Sequence, residues 1–262
     1  MNTDVNNNKV LPTRSWRDAF SVYKKPRVIG MIFLGFAAGL PFLLVFSTLS
    51  AWLRDEGVTR TTIGFFSWVG ITYSIKVFWA PIVDRLPIPW LTKKLGKRRS
   101  WMLCAQIVIA AGLLGMASSD PETQLTLIAI YAVIVAFGSS TQDITIDAYR
   151  IEAVDDQYQG AMAATYVFGY RLALLVAGAG AFYIAEGQSW SYAYITMATL
   201  MLIGMAATLV ISEPLHQINK IAEKVEHKLE STLGLGEDGD LAKRTGRWFV
   251  DAVVSPFVEF FE

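Results

Sequence analysis

Six apolar stretches, each near the ~20 residues that a bilayer core demands of a helix, leave this chain few ways to fold. They fall at about Val28–Ala51, Ile63–Val83, Trp101–Ser118, Leu125–Gln142, Gly160–Ala185 and Tyr192–Ile211. Over half of the 262 residues are hydrophobic (53%) and only 18% are charged, which argues for an embedded chain rather than a soluble domain. A backbone crossing lipid must satisfy its own hydrogen bonds, so runs of this length imply helices. The first twenty-odd residues are polar and basic, and no removable signal peptide is visible.

The charge distribution orients these spans. The leader carries Lys9, Arg14, Arg17, Lys24 and Lys25, with an amphipathic turn near Trp16–Tyr23. The second connection holds Arg85, Lys93, Lys94, Lys97, Arg98 and Arg99, whereas the third and fifth have no lysine or arginine. Basic connections stay in the cytoplasm, so both termini are expected there. The total charge is zero and points to neither nucleic acid nor an acidic partner. A lone cysteine, Cys104, lies in an apolar run, and the two histidines fall in the polar tail. Neither a disulfide framework nor a metal-ligand spacing is present, and no nucleophile–base constellation suggests an enzyme.

Charges within the apolar stretches are the candidate functional residues. In Ser139–Glu152, SSTQDITIDAYRIE, Asp143 and Asp147 are four apart and Arg150 follows three later, so a helix places them on one face. At the polar tip of the fourth span they serve either a structural ion pair or transport. Lys76 and Arg171 sit deep in the second and fifth spans, roughly 16–20 Å from the span starts at ~1.5 Å per residue. Two cations at that depth suit a ligand with carboxylates or phosphates, or else neutralise Asp143, Asp147 or Glu152. If the six spans are two inverted triplets, the second and fifth are equivalent partners around a midplane site. Phe36, Trp68, Tyr73, Tyr131, Tyr166 and Tyr170 could stack on sugar faces, although packing is the commoner use of such side chains.

Small residues shape the bundle. Gly169, Ala173 and Ala177 recur at four-residue steps in the fifth span, a spacing that lets helix backbones approach closely. After Glu213-Pro214 the pattern changes to amphipathic, with Leu215, Ile218, Ala222, Val225 and Leu229 at helical spacing. A second amphipathic segment runs from Leu241 to Phe261 with a kink expected at Pro256. The organisation expected is a cytoplasmic leader at 1–27, a six-helix transmembrane half-domain at 28–212 and a cytoplasmic linker at 213–262.

Asp84-Arg85 followed by Gly96-Lys97-Arg98-Arg99 resembles the signature loop of the major facilitator superfamily, with Ala80 where a glycine is usual and Leu86–Leu95 inserted. GFAAGLPFLLVFSTLSAWLRDEGVTRTTIGFF, VFWAPIVDR and STQDITIDAYRIE resemble the AmpG family of muropeptide permeases. The resemblance implies an all-α, major facilitator-type N-terminal half in the bacterial inner membrane. It implies proton-driven import of anhydromuropeptides, anionic sugar-peptide solutes, for cell-wall recycling, with no cofactor beyond the proton gradient. A C-terminal transporter half is the expected partner, because alternating access needs one repeat to rock against another. Under this reading Lys76, Arg171, Gln142, Tyr166 and Tyr170 bind substrate, and Asp143 and Asp147 couple protons. Asp84, Arg85, Arg98, Arg99, Arg150 and Glu152 form a conformational latch. Rival readings are a permease for another anionic solute, such as a coenzyme A thioester or siderophore, and a non-transporting membrane assembly or sensing module.

Overall fold

The computed structural model describes residues 21–214; the amphipathic segments expected in the tail lie outside them, as does all of the expected leader turn before Ser21, and Val22–Lys24 is a 3₁₀ turn. All elements described are helical: α1 (Pro26–Val45), α2 (Ser47–Asp55), α3 (Arg60–Phe66), α4 (Ile71–Ser74), α5 (Ala80–Arg85), α6 (Leu91–Leu95), α7 (Lys97–Ala117), α8 (Leu125–Ala153), α9 (Gln159–Leu175), α10 (Ala181–Gly187) and α11 (Trp190–Val210). Among the described residues, five helical stretches are long and apolar enough to cross a membrane: Pro26–Asp55, Lys97–Ala117, Leu125–Ala153, Asp156–Gly187 and Trp190–Val210. Many large apolar side chains are exposed on the outside of the bundle, among them Phe65, Trp68, Phe78, Ile130, Phe168 and Leu175.

The expected second span, Ile63–Val83, is not one continuous helix. It is α3, a 3₁₀ turn at Ser67–Gly70, α4, a second 3₁₀ turn at Ile75–Phe78, and α5. The sequence explains the break. Gly64, Gly70, Ser67 and Ser74 are poor helix formers, and β-branched and aromatic residues fill most of the rest. Pro81 has no N–H, and its ring disfavours helix through Val77 four residues earlier; Trp79, at φ −108° and ψ −4°, is where the path bends. The fourth span differs in the opposite sense. It runs unbroken past Gln142 to Ala153, so Asp143, Asp147 and Arg150 lie on a helix rather than at a terminus.

Helix α1 is the hub. It packs along α9 most extensively, and also against α11 and α8; α7 packs against α8 and α11, and the broken span lies along α8. The α1–α9 seam is backbone to backbone. A β-carbon on Gly169 would run into the Ile32 carbonyl, and one on Gly35 or Gly39 into the carbonyls of Tyr166 or Tyr170. Ala173 and Ala177 continue this stripe, fully buried, and Thr48 donates its hydroxyl to the Ala177 carbonyl at 2.9 Å. Beyond Leu175 the helix widens into a π turn at Val176–Gly180 before α10.

Arg27 at the start of α1 donates to the Ala153 carbonyl and to Ser212 Oγ (3.0 Å), while Trp190 Nε1 at the start of α11 reaches Asp55 Oδ2 at 3.0 Å. The bundle thus has two ends. One carries Arg27, Ala153, Ser212 and the basic connection; the other carries Asp55 and Trp190.

Candidate functional site

A membrane helix is rarely as polar as the middle of α8. Ser139, Asp143 and Asp147 follow at four-residue steps, which stacks them on one face. Tyr73 of α4 lies near Ser139, and Tyr73, Lys76 of the following turn, and Tyr166 and Tyr170 of α9 are all within electrostatic range of Asp143. Three helical segments therefore converge on Asp143. Trp79 pins the broken span to α8 by donating Nε1–H to Thr141 Oγ1 at 3.1 Å and stacking on Phe137 at 4.9 Å.

The cluster stands out by what its polar atoms lack. Gln142 is completely buried, yet neither its amide oxygen nor its nitrogen has a hydrogen-bond partner. Tyr73 Oη and Asp143 Oδ1 are buried without one as well. An unmet buried group typically costs ~1–3 kcal/mol, so a cluster of them marks a place where bonds are made to water or a ligand. Arg150 reaches Asp147 at 3.4 Å, while its Nε stays buried and unpartnered. Lys76 is half-buried and makes no ion pair under 4 Å among the described residues. Aromatic rings wall the site: Tyr166 and Tyr170 at 6.1 Å, and Phe42, Phe46 and Tyr73 in mutual contact. Arg171 is separate, exposed on α9 next to Tyr170 in sequence and in no ion pair with a described carboxylate.

At the basic end a second set of charges is fully engaged. Arg98 is 6% exposed; it donates to Asp84 Oδ1 at 2.6 Å and to Glu152 at 2.5 Å, with Nε adding two bonds at 3.1 and 3.2 Å. Lys97 donates to the Asp84 carbonyl at 2.6 Å. Arg99 turns away to the carbonyls of Thr208 (2.8 Å) and Leu209, and so holds the end of α11. Arg85 is exposed at the last turn of α5. Asp84, Arg98 and Glu152 meet; Arg150 instead turns to Asp147.

Sequence reasoning missed Glu213 here. Its carboxylate accepts the backbone N–H groups of Arg98 (2.8 Å) and Arg99 (3.2 Å), capping the N-terminus of α7 with a negative charge. Gly96 makes room: its φ is +89°, and a β-carbon there would run into the Glu213 carboxylate. The available signal was a carboxylate just after the last span and a glycine before a basic run. Ser139 was also passed over, and Tyr73 was read only as a stacking ring, because nothing in the one-dimensional pattern sets the broken span against α8.

A helical bundle long and apolar enough to cross a membrane defines an integral membrane fold, and residues 31–258 match the Major Facilitator Superfamily. The chain belongs to that family. It is similar to the "Putative transporter AmpG 4" of Rickettsia felis, 32% identical over 243 residues, which cover 92% of this chain and 54% of the relative. The "Anhydromuropeptide permease" of Escherichia coli K12 is 40% identical over 194 residues, covering 74% of this chain and 39% of that protein. The "Putative transporter AmpG 3" of Rickettsia prowazekii is 36% identical over 194 residues. The chain spans about half the length of the curated relatives it matches.

Proposed function

We propose that this chain supplies the N-terminal half of a permease that imports anhydromuropeptides across the bacterial inner membrane, driven by protons and completed by a second, C-terminal half. The observation that carries the reading is the buried set of Tyr73, Gln142 and Asp143 beside an uncommitted Lys76. The name of the Escherichia coli relative supplies the substrate class. Lys76 holds an anionic group of the solute as a point charge, and Gln142 offers both a donor and an acceptor to its amides or hydroxyls. Tyr166 and Tyr170 stack on its sugar rings.

Proton coupling follows from charge balance. In this reading Lys76, within electrostatic range of Asp143 but not paired with it, offsets part of its charge while the site is empty. A solute anion that takes over Lys76 leaves a carboxylate at Asp143 with Asp147 one turn away, and Asp143 answers by binding a proton. Arg171 meets the solute from the other side of α9. The Asp84–Arg98–Glu152 network acts as the latch, holding one conformation closed and giving way when the halves rock. The grouping of the N-terminal end of α1, the basic connection and Ser212 at one end supports cytoplasmic termini. Pairing of α1 with α9 and of the broken span with α8 is what exchange of two inverted triplets predicts, and supports that arrangement.

Uptake decides it. Membrane vesicles are prepared from cells expressing this chain alone, and from cells co-expressing it with the C-terminal half of a full-length AmpG permease. Labelled anhydromuropeptide should accumulate in the paired vesicles under an imposed proton gradient, and Asp143→Asn should abolish the dependence on that gradient while the protein still reaches the membrane. No accumulation in either sample would overturn the assignment. Accumulation of a coenzyme A thioester or siderophore in its place would favour the rival solute.

A further inference from the structure

The end of the bundle opposite the Arg98 network has a cavity of about 660 Å³ lined by Ser50, Ala51, Arg54, Asp55, Arg60 and Ile63. It opens between the last turns of α2 and the start of α3. Arg54 and Arg60 are the sole lysine or arginine residues at this end among the described connections; Asp55, Glu56, Asp120, Glu122 and Glu186 are its acids. Neither arginine makes an ion pair with a described residue. Asp55, the acid in the cavity wall, already accepts from Trp190, and Glu56 accepts from Trp52 Nε1 at 3.3 Å. Two guanidinium groups thus share one open cavity with their nearest acids engaged elsewhere.

The cavity walls adjoin the segments that reach the central site. Ser50 lies one helical turn beyond Phe46, to which its hydroxyl is tied (Ser50 Oγ to Phe46 O, 2.7 Å), and Phe46 touches Tyr73 at 5.9 Å between ring centres. Ile63 and Tyr73 pack against the same buried cluster. The walls of the arginine cavity are therefore the outer ends of the segments that carry Tyr73 and Lys76 to the central site.

We infer that Arg54 and Arg60 form a separate anion-binding vestibule, where a carboxylate or phosphate of a soluble anion is held by two guanidinium forks before it moves inward. At an end otherwise populated by acids, the pair is what lets an anion dwell. Planar forks bind such groups through two parallel charge-assisted hydrogen bonds. A soluble anion is favoured over a lipid headgroup because both exposed arginines flank the polar connection 56–59 between α2 and α3 rather than an apolar outer face of the bundle. The inference shares with the proposed function only the anionic nature of the cargo.

Binding can be read without transport, so the two stand or fall separately. The full chain is placed in nanodiscs of neutral phosphatidylcholine and titrated with glutarate, a dicarboxylate probe, by calorimetry. Glutarate should bind, about tenfold or more weaker in Arg54→Gln/Arg60→Gln and near the original strength in Arg54→Lys/Arg60→Lys. Binding should also weaken steeply with added salt. Each single Arg→Gln variant should give an intermediate loss, which keeps the test open if the double variant folds badly. Glutarate binding that ignores all these substitutions, or no binding to the unaltered chain, overturns the proposal. So does a pair that responds only to discs containing phosphatidylglycerol, since the occupant is then a lipid headgroup.

Discussion

The two polar regions of this bundle are built on opposite terms. At the basic end, Arg98 is nearly as buried as a core leucine, yet its guanidinium is spent on Asp84 and Glu152, and the backbone N–H groups beside it on Glu213. Midway along α8, the buried atoms of Tyr73, Gln142 and Asp143 have no partner. A buried charge network with every member satisfied is rigid and expensive to open; one with its members unmet is costly to keep and ready to take a ligand. The first region therefore governs stability and conformation, and the second governs binding. Substitutions in the two should separate along those lines.

The largest effect is expected at Arg98. Arg98→Ala leaves the Glu152 carboxylate, 21% exposed, without its partner, a loss approaching the ~3–5 kcal/mol of breaking a fully buried pair. Asp84 is nearly half exposed and recovers part of its loss from water. Thermal unfolding in detergent should show Arg98→Ala far below the unaltered chain, with Asp143→Asn close to it. Equal losses would erase the distinction between the two regions. Next comes the cap. Glu213→Ala removes two charge-assisted bonds at the α7 terminus, worth about 1.5–3 kcal/mol together. Gly96→Ala should lose a comparable amount, because it combines a left-handed φ with a clash into the same carboxylate. Unchanged melting in both variants would show that Glu213 does not hold the α7 terminus.

The family-level fold was legible because lipid leaves so little choice: length, apolarity and the basic second connection are enough to lay out the helices and to group the basic end. The Ala173–Ala177 stripe could likewise be read as a packing seam from spacing alone. What the sequence hid was arrangement across elements. Hydropathy averaged over residues 60–85 does not distinguish a straight span from the broken path, because Gly64, Ser67, Gly70, Ser74 and Pro81 are scattered singly among strongly apolar residues. The same limit concealed Glu213. Capping of α7 joins positions 115 residues apart in the chain, and no local pattern records it. Asp143, Gln142 and Lys76 were visible because charges and amides are rare in such stretches; that Arg150 would turn to Asp147 and not to the latch depended on which side of α8 each end of the network approached.

The smallest effect sharpens the comparison most, because its sign differs between two glutamines. Gln106 on α7 is as buried as Gln142 and its amide nitrogen is likewise without a partner, but its oxygen accepts the Thr208 hydroxyl of α11 at 3.1 Å, tying two helices together. Gln106→Met should therefore cost about 1 kcal/mol, the usual net worth of one hydrogen bond, and leave the Thr208 hydroxyl to find another acceptor. Gln142→Met removes an amide with no partner among the described residues and fills nearly the same volume with an apolar chain. It should be neutral in melting temperature or raise it slightly, by the equivalent of up to about 1 kcal/mol. If Gln142 is a ligand-binding group, the same variant should lose solute binding, so stability and binding move in opposite directions. A loss of stability at Gln142 as large as at Gln106 would mean that its amide is satisfied within the protein, and the central cluster would then be a second structural network.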